Sequence, residues 1–157
     1  MNRQPQQMEL FPASQIAERL GNNDRLMEMI LERNNIIRAW KQVCANKGAP
    51  GVDGMKTSQL GSYLAKHWPE IEQGLLNCSH KPLPVKRKEI PKPDGGVRLL
   101  GIPTVLDRFI QQAISQILEQ VWDPFFSESS YGFRPGRSAH DAVKQGKRYM
   151  VEGYTHV

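Results

Sequence analysis

A turn between two extended arms, followed by a long amphipathic helix, is encoded in residues 90–121, IPKPDGGVRLLGIPTVLDRFIQQAISQILEQV. The run Asp-Gly-Gly at 94–96 supplies turn chemistry and prolines border both arms, so this part predicts a β-hairpin. Thr104, with Asp107 three residues later, predicts a capping box that opens a helix. The apolar residues that follow recur at helical spacing over a wide face, which predicts the core helix. They are Leu106, Phe109, Ile110, Ala113, Ile114, Ile117, Leu118 and Val121.

Upstream of the hairpin, the pattern predicts helices on either side of a glycine-rich loop. Apolar residues recur on one helical face from Leu26 to Cys44, which predicts one long helix with Asp24 as its N-cap. Residues 47–54 contain three glycines and a proline, so they predict a loop with left-handed backbone positions. After this loop, a short helix is predicted from Thr57 to before His67. A second is predicted to open at Trp68-Pro69 and run to about Asn77.

Downstream of the core helix, which is expected to stop at Asp123-Pro124, a second capping box runs from Ser138 to Asp141. It predicts a helix that reaches about Glu152 and is stopped by Gly153. At 100° per residue the helix has an apolar side and a roughly opposite basic side. The apolar side holds Ala139, Val143, Gly146 and Met150, and the basic side holds Arg137, Lys144 and Arg148. Residues 154–157 have β propensity and predict the start of a strand.

Composition limits the classes of protein that are possible. The 157 residues are 39% hydrophobic and 24% charged, which predicts a globular protein, and the net charge of +5 is compatible with anionic partners although proteins that bind none also carry such an excess. No apolar run is long enough for a membrane span, and the N-terminus lacks the apolar core of a secretory signal. The two cysteines form no framework, so we expect an intracellular location.

The sequence offers no pattern for catalysis or metal binding. It lacks phosphate-loop, dinucleotide, zinc-protease and nucleophile-elbow motifs. The four histidines are scattered, and the sixteen acidic residues are dispersed, so no two-metal site is expected.

Basic residues instead predict contacts with phosphates. Five cations lie on the hairpin arms: Lys86, Arg87, Lys88, Lys92 and Arg98. They suit a nucleic-acid backbone, although lysines on an edge hairpin also deter aggregation. Residues 130–137 interleave aromatic side chains with Arg134 and Arg137, a combination that stacks on bases and binds phosphates. The alternative is that Tyr131 and Phe133 fill the core beneath this loop.

Three segments together carry a family resemblance. Residues 90–108, followed by Gln-Gln-Ala at 111–113, resemble the first fingers motif of group II intron reverse transcriptases nearly residue for residue. Residues 126–140 are similar to their second motif, and 48–54 resemble the loop of their N-terminal extension. The segments occur in family order. The resemblance implies an α+β fold that combines a helical N-terminal extension, a fingers subdomain with a β-hairpin and helices, and an incomplete right-hand polymerase palm.

The same resemblance implies a division of the chain and roles for individual residues. Residues 1–23 are expected to be a loosely ordered lead-in, 24–83 the extension with its glycine-rich loop, and 84–157 the fingers with a truncated start of the palm. Lys92 and Arg98 would contact the triphosphate of the incoming nucleotide. The glycine-rich loop would cover the template. Template contacts would involve Ile102, Pro103, Arg108, Arg134, Arg137, Lys86, Arg87 and Lys88.

The resemblance also implies what the chain lacks. The first catalytic aspartate of the family would follow Val157, so catalysis and its Mg²⁺ belong to a longer parent, and this chain alone is expected to be inactive and metal-free. The parent would be an intracellular, bacterial RNA-directed DNA polymerase that binds intron RNA, template RNA or DNA and deoxynucleoside triphosphates. It would assist splicing and mobility. Homodimerisation through exposed palm-facing surface is a further expectation.

Two other classes of function stay open at this point. The chain could be a non-catalytic RNA-binding module, such as a maturase portion that acts only in splicing. It could also be a structural interaction domain whose charges are solvated surface, which RNA binding that is absent or indifferent to salt would indicate.

Overall fold

The structure is a computed structural model that describes residues 25–154. The lead-in at 1–23, the N-cap expected at Asp24 and residues 155–157 of the expected strand lie outside the described residues. The described chain is α+β, with five α-helices and one two-stranded antiparallel sheet. The elements are α1 Leu26–Leu31, α2 Arg33–Ala45, α3 Leu60–Leu76, β1 Lys86–Pro91, β2 Val97–Ile102, α4 Val105–Trp122 and α5 Ala139–Val151, with 3₁₀ turns at Thr57–Gln59 and Asp123–Phe125.

The predicted β-hairpin is confirmed, with its turn at the expected place. Strand β1 pairs antiparallel with β2, from Lys86 opposite Ile102 to Pro91 opposite Val97. The Lys92 N–H donates to the Gly96 carbonyl at 2.7 Å and closes the turn. Gly95 has a φ of 84°, a conformation that residues with a Cβ rarely adopt.

The core helix is confirmed as the most buried element. Thr104 caps α4, because its Oγ1 accepts a hydrogen bond from the Asp107 N–H at 3.1 Å. Seven residues of α4 are buried, among them Phe109, which is 0% exposed. Burying a side chain of this size contributes roughly 1.5–3 kcal/mol. Helices α1 and α2 pack against α4 and complete one hydrophobic core with α3.

The prediction of one long N-terminal helix is wrong, because the helix breaks at Glu32. There the backbone has a ψ of 134° and leaves the helical conformation. Asn35, which is 3% exposed, donates from Nδ2 to the carbonyls of Ile30 at 2.8 Å and Ala113 at 2.9 Å. Of the predicted apolar face of α2, Val43 is buried and Ile36 packs against the core, whereas Trp40 is 37% exposed.

The prediction of two helices divided at Trp68-Pro69 is also wrong. A 3₁₀ turn begins at Thr57, and the single helix α3 then continues through Pro69. Proline inside a helix costs about 3 kcal/mol, because it removes one hydrogen bond and crowds the preceding turn. Leu60 and Ile71, on either side of Pro69, both enter the hydrophobic core, and their burial offsets that cost.

Helix α5 begins and ends as predicted. Ser138 Oγ accepts from the Asp141 N–H, and the Asp141 carboxylate accepts from the Ser138 N–H, which completes the capping box. The chain leaves the helix at Gly153, which has a φ of 93°. None of the residues of α5 is buried, so within residues 25–154 its predicted apolar side is uncovered. The described helices include none with the length and apolar character needed to cross a membrane.

Candidate nucleic-acid interface

The hairpin has two chemically different faces. Side chains that lie opposite each other in an antiparallel pair share a face, and successive residues alternate between faces. The register therefore groups Lys86, Lys88 and Arg98 on one face, together with Ile90, Leu100 and Ile102. The other face carries Arg87, Glu89, Pro91, Val97 and Leu99. The first face is consequently cationic with apolar side chains between the charges.

Within residues 25–154, most charges on the hairpin have no ion-pair partner. Arg87 Nη2 lies 3.3 Å from Glu89 Oε1 on the second face, and both side chains are well exposed. Among the described residues no carboxylate lies within ion-pair distance of the other four hairpin cations, which are Lys86, Lys88, Lys92 and Arg98. All four are exposed, so their charge is available to an anion.

The base of the hairpin is fastened to the first turn of α4. Asp107, which is 5% exposed, accepts hydrogen bonds from the Leu83 N–H at 3.2 Å and the Thr104 hydroxyl at 2.6 Å. His80 Nε2 lies 3.6 Å from the Asp107 carboxylate. The segment before β1 is thus held by the helix that follows β2. Between the hairpin and α4, Ile102 ends β2 and Pro103 follows it, and both are partly exposed.

The glycine-rich loop lies against the same turn of α4. Arg108 Nη2 donates to the Ala49 carbonyl at 2.7 Å, and the Arg108 guanidinium packs beside Gly48. Among the loop glycines the predicted left-handed conformation is found at Gly54, with a φ of 70°. At Gly51 it is close approach that requires a glycine, because a Cβ there would come within 2.7 Å of the Thr104 Cα.

The Arg134 side chain forms its hydrogen bonds with the loop that joins α4 to α5. Its side chain is 7% exposed, and Nε donates to Asp123 Oδ1 at 2.8 Å. The guanidinium also donates to three main-chain carbonyls, those of Asp123, Ser127 and Ser130. The hydrogen bond from Arg134 holds the pKa of Asp123 below its ordinary value. Arg134 therefore orders the loop through contacts within the chain.

Arg137 makes a similar set of contacts a few residues later. Its Nη2 lies 2.7 Å from Glu128 Oε2, and this hydrogen bond lowers the pKa of Glu128. The Arg137 guanidinium also lies 5.5 Å from the centre of the Tyr131 ring, so Tyr131 packs under a cation. Phe133 is fully exposed with a φ of 56°, so the core-filling alternative fails for Phe133.

Sequence reasoning missed the internal partners of these arginines. Asp123 and Glu128 precede Arg134 and Arg137 by eleven and nine residues, and across an irregular loop such separations give no local signal of pairing. The partners of Asp107 and Arg108, at Leu83 and Ala49, left no local signal. Among residues 25–154, no group of three His, Cys, Asp or Glu side chains is arranged to hold a metal ion.

Comparison with known proteins defines the class to which this arrangement belongs. Residues 90–155, from the hairpin to the end of α5, match the family described as reverse transcriptase (RNA-dependent DNA polymerase). Protein YkfC of Escherichia coli (strain K12) is 37% identical over 130 residues, which is 82% of this chain and 34% of that protein. The group II intron-encoded protein LtrA of Lactococcus lactis subsp. cremoris is 34% identical over 90% of this chain and 26% of that protein.

A third relative is named as an intron protein. The putative COX1/OXI3 intron 2 protein of Saccharomyces cerevisiae is 30% identical over 82% of this chain and 15% of that protein. The chain belongs to the group II intron-encoded reverse transcriptases and maturases. It spans about a third or less of the length of these relatives.

Proposed function

We propose that this chain supplies the fingers of an RNA-directed DNA polymerase that copies RNA and assists the splicing and mobility of a group II intron. The observation that carries the proposal is the unpaired cationic face of the hairpin, formed by Lys86, Lys88 and Arg98. A ribbon whose exposed cations lack ion-pair partners among residues 25–154 attracts phosphates.

Lys92 and Arg98 bind the triphosphate of the incoming nucleotide in this proposal. Lys92 lies in the turn and Arg98 near the start of β2, so both are carried by the end of the hairpin that is farthest from the core. Arginine presents a planar fork that matches phosphate oxygens, and lysine adds a compact charge. Together they would neutralise the triphosphate and help to align the reacting phosphate.

Template contacts involve the rest of the same surface. Ile102 and Pro103 offer a small apolar area at the end of β2, suited to lie against a base. Lys86 and Lys88, with Arg87 on the opposite face, would bind backbone phosphates without reading sequence. Arg108, Arg134 and Arg137 belong to the template path. The internal contacts of Arg134 and Arg137 support a role in shaping it.

Catalysis is assigned to other parts of the complete protein. Phosphoryl transfer by this family would use Mg²⁺ held by carboxylates, and residues 25–154 bring together no group of carboxylates that fits such a site. The chain's own contribution is to bind and orient the nucleotide and the template, and its partners are intron RNA, template RNA or DNA and deoxynucleoside triphosphates.

Binding of RNA by this chain tests the proposal directly. A fluorescently labelled RNA stem with a single-stranded end is titrated with protein at several salt concentrations. We expect the logarithm of the association constant to fall linearly with the logarithm of salt, by roughly 0.7–0.9 for each phosphate neutralised. Binding that is absent at low salt, or indifferent to salt, would overturn the proposal in favour of a structural interaction domain.

A further inference from the structure

Arg108 is held between the core helix and the glycine-rich loop, not extended into solvent. It lies in the first turn of α4, and its Nη2 donates to the Ala49 carbonyl, 59 residues away in sequence. Its Nε is out of contact with solvent and has no hydrogen-bond partner among residues 25–154. A side chain with one nitrogen bonded to the loop and another enclosed is poorly placed to bind an anion from outside.

Gly48 provides the space that the Arg108 guanidinium occupies. A Cβ added at position 48 would collide with Arg108 Nη1, whereas the backbone there has no left-handed conformation that demands glycine. A side chain at this position would therefore displace the Arg108 guanidinium from its place beside the loop. Three residues later, a Cβ at Gly51 would lie 2.8 Å from the Thr104 nitrogen and 3.1 Å from the Pro103 carbonyl carbon. The loop thus closes on α4 at two points.

We propose that Arg108 is a positioning residue that latches the loop 48–54 onto the first turn of α4. The latch places the loop against the Pro103–Thr104 peptide, next to the strand end that is proposed to meet the template. This inference rests on the proposed function for what the loop does once it is held, but the latch itself is a property of the free protein. In this role Arg108 differs from the hairpin cations, which are proposed to bind phosphate.

Such a latch would order the loop before any ligand binds. A loop with three glycines has many accessible conformations, and fixing it only on binding would weaken the complex. Arginine at the start of a helix is also unfavourable in itself, because the helix N-terminus carries partial positive charge. Alanine at 108 would improve the helix locally, so loosening of the loop in such a variant would not arise from a damaged α4.

Hydrogen exchange at the amides of residues 51–55 tests the latch without RNA. Arg108→Ala should raise their exchange rates several-fold relative to the amides of α4. Gly48→Ala, which keeps the charge but fills the space, should do the same. Adding Gly48→Ala to Arg108→Ala should cause no further increase, because the collision partner has been removed. Gly132→Ala is the matched control, since a Cβ there meets nothing within 4 Å and should change nothing.

Salt-dependent RNA binding then separates positioning from phosphate contact. Arg108→Ala should weaken binding with an unchanged log-log salt slope, whereas Lys88→Ala should flatten the slope by roughly 0.7–0.9. Unchanged exchange in both Arg108→Ala and Gly48→Ala would overturn the latch, as would a slope that Arg108→Ala flattens as Lys88→Ala does. If wild-type protein binds no RNA, the proposed function fails, while the exchange rates still decide whether Arg108 holds the loop.

Discussion

Arg134 and Asp123 form a hydrogen-bonded ion pair, in which Nε donates to Oδ1 at 2.8 Å, where α4 gives way to the next loop. The same guanidinium donates to the carbonyls of Ser127 and Ser130, so one side chain ties together the start and the middle of that loop. Arg137 adds a second pair with Glu128. These two ion pairs hold together the segment between α4 and α5.

Acidification is expected to loosen residues 126–137 because of these pairs. Hydrogen bonds from Arg134 and Arg137 hold the pKa of Asp123 and of Glu128 below their ordinary values. A carboxyl whose pKa is depressed by folding adds stability above its unfolded pKa, near about 4, and this stability is lost as the pH falls through the folded pKa. Hydrogen exchange in the loop, corrected for intrinsic rates, should therefore accelerate below about pH 4.

Neutral substitutions provide the control for this acid response. Asp123→Asn with Glu128→Gln should give a loop that exchanges faster at neutral pH and gains little further on acidification. A double variant whose loop responds to acid as strongly as the wild type would show that other groups cause the effect.

Asn35 is expected to be a strong determinant of stability. Its side-chain amide donates to the carbonyls of Ile30 and Ala113, and its Oδ1 accepts from Gln116 Nε2 at 2.8 Å. Asn35→Ala leaves buried groups without partners, at about 1–3 kcal/mol for each group left unsatisfied. Urea denaturation should show this loss. Asn34→Ala alters an exposed neighbour and should change the free energy of unfolding by less than about 0.5 kcal/mol. Similar effects of the two substitutions would contradict the structural role of Asn35.

Local side chain to backbone bonds explain which parts of the fold could be predicted from sequence. Thr104 and Ser138 each accept from an N–H three residues away, and the Asp-Gly-Gly turn closes within five residues. At the break near Glu32, Asn35 bonds both to Ile30, five residues away, and to Ala113, 78 residues away, and a bond at the second distance leaves no local pattern. Periodicity correctly assigned Ile36 and Val43 to the core side of α2, whereas Ile37 and Trp40, predicted on the same face, are each 37% exposed.

The candidate interface shows the same division. Its cations could be predicted because charge is visible in the sequence, and alternation along two strands then assigns Lys86, Lys88 and Arg98 to one face. The internal ion pairs of Arg134 and Arg137 could not be predicted, because they depend on the path of the loop between α4 and α5. Arg108 bonds to Ala49, and the 59 residues that separate them in sequence include α3 and the hairpin. Their contact therefore depends on how those elements fold, which the local sequence does not show.

Backbone phosphate contacts should be removable without loss of fold. Replacing Lys86, Arg87 and Lys88 together by alanine should weaken RNA binding and lower the salt slope by about 2, since each contact contributes roughly 0.7–0.9. Arg87→Ala alone should have less effect than Lys88→Ala, because Arg87 lies on the other face and is paired with Glu89. Fluorescence anisotropy at several salt concentrations measures both. Equal effects of Arg87→Ala and Lys88→Ala would mean that both faces of the hairpin contact RNA phosphates equally.

No nucleotide incorporation is expected from this chain alone. With a primed RNA template and Mg²⁺ or Mn²⁺, catalysis would need carboxylates arranged around two ions, and residues 25–154 bring no such group together. A longer protein of the same family that carries the catalytic aspartates serves as the positive control under the same conditions. Incorporation above the blank by this chain, in material free of host polymerase, would refute the expectation.

Arg98 should affect nucleotide use more than template binding in a longer protein that includes the catalytic aspartates. An exposed arginine without a carboxylate partner can bond to triphosphate oxygens, and a hydrogen bond between charged groups contributes roughly 1.5–3 kcal/mol. Arg98→Ala should therefore lower kcat/KM for the deoxynucleoside triphosphate by about 10- to 100-fold while changing RNA affinity little. Steady-state incorporation kinetics and RNA titration, on the same preparation, measure the two quantities.

Lys88→Ala in that longer protein is the matched control, because Lys88 shares the face of Arg98 but lies nearer the base of the hairpin. It should weaken RNA binding and leave the KM for nucleotide nearly unchanged. An Arg98→Ala variant with normal nucleotide kinetics and lost RNA binding would reverse the assignment. The hairpin would then act only as an RNA clamp, and triphosphate recognition would have to be sought on another part of the protein.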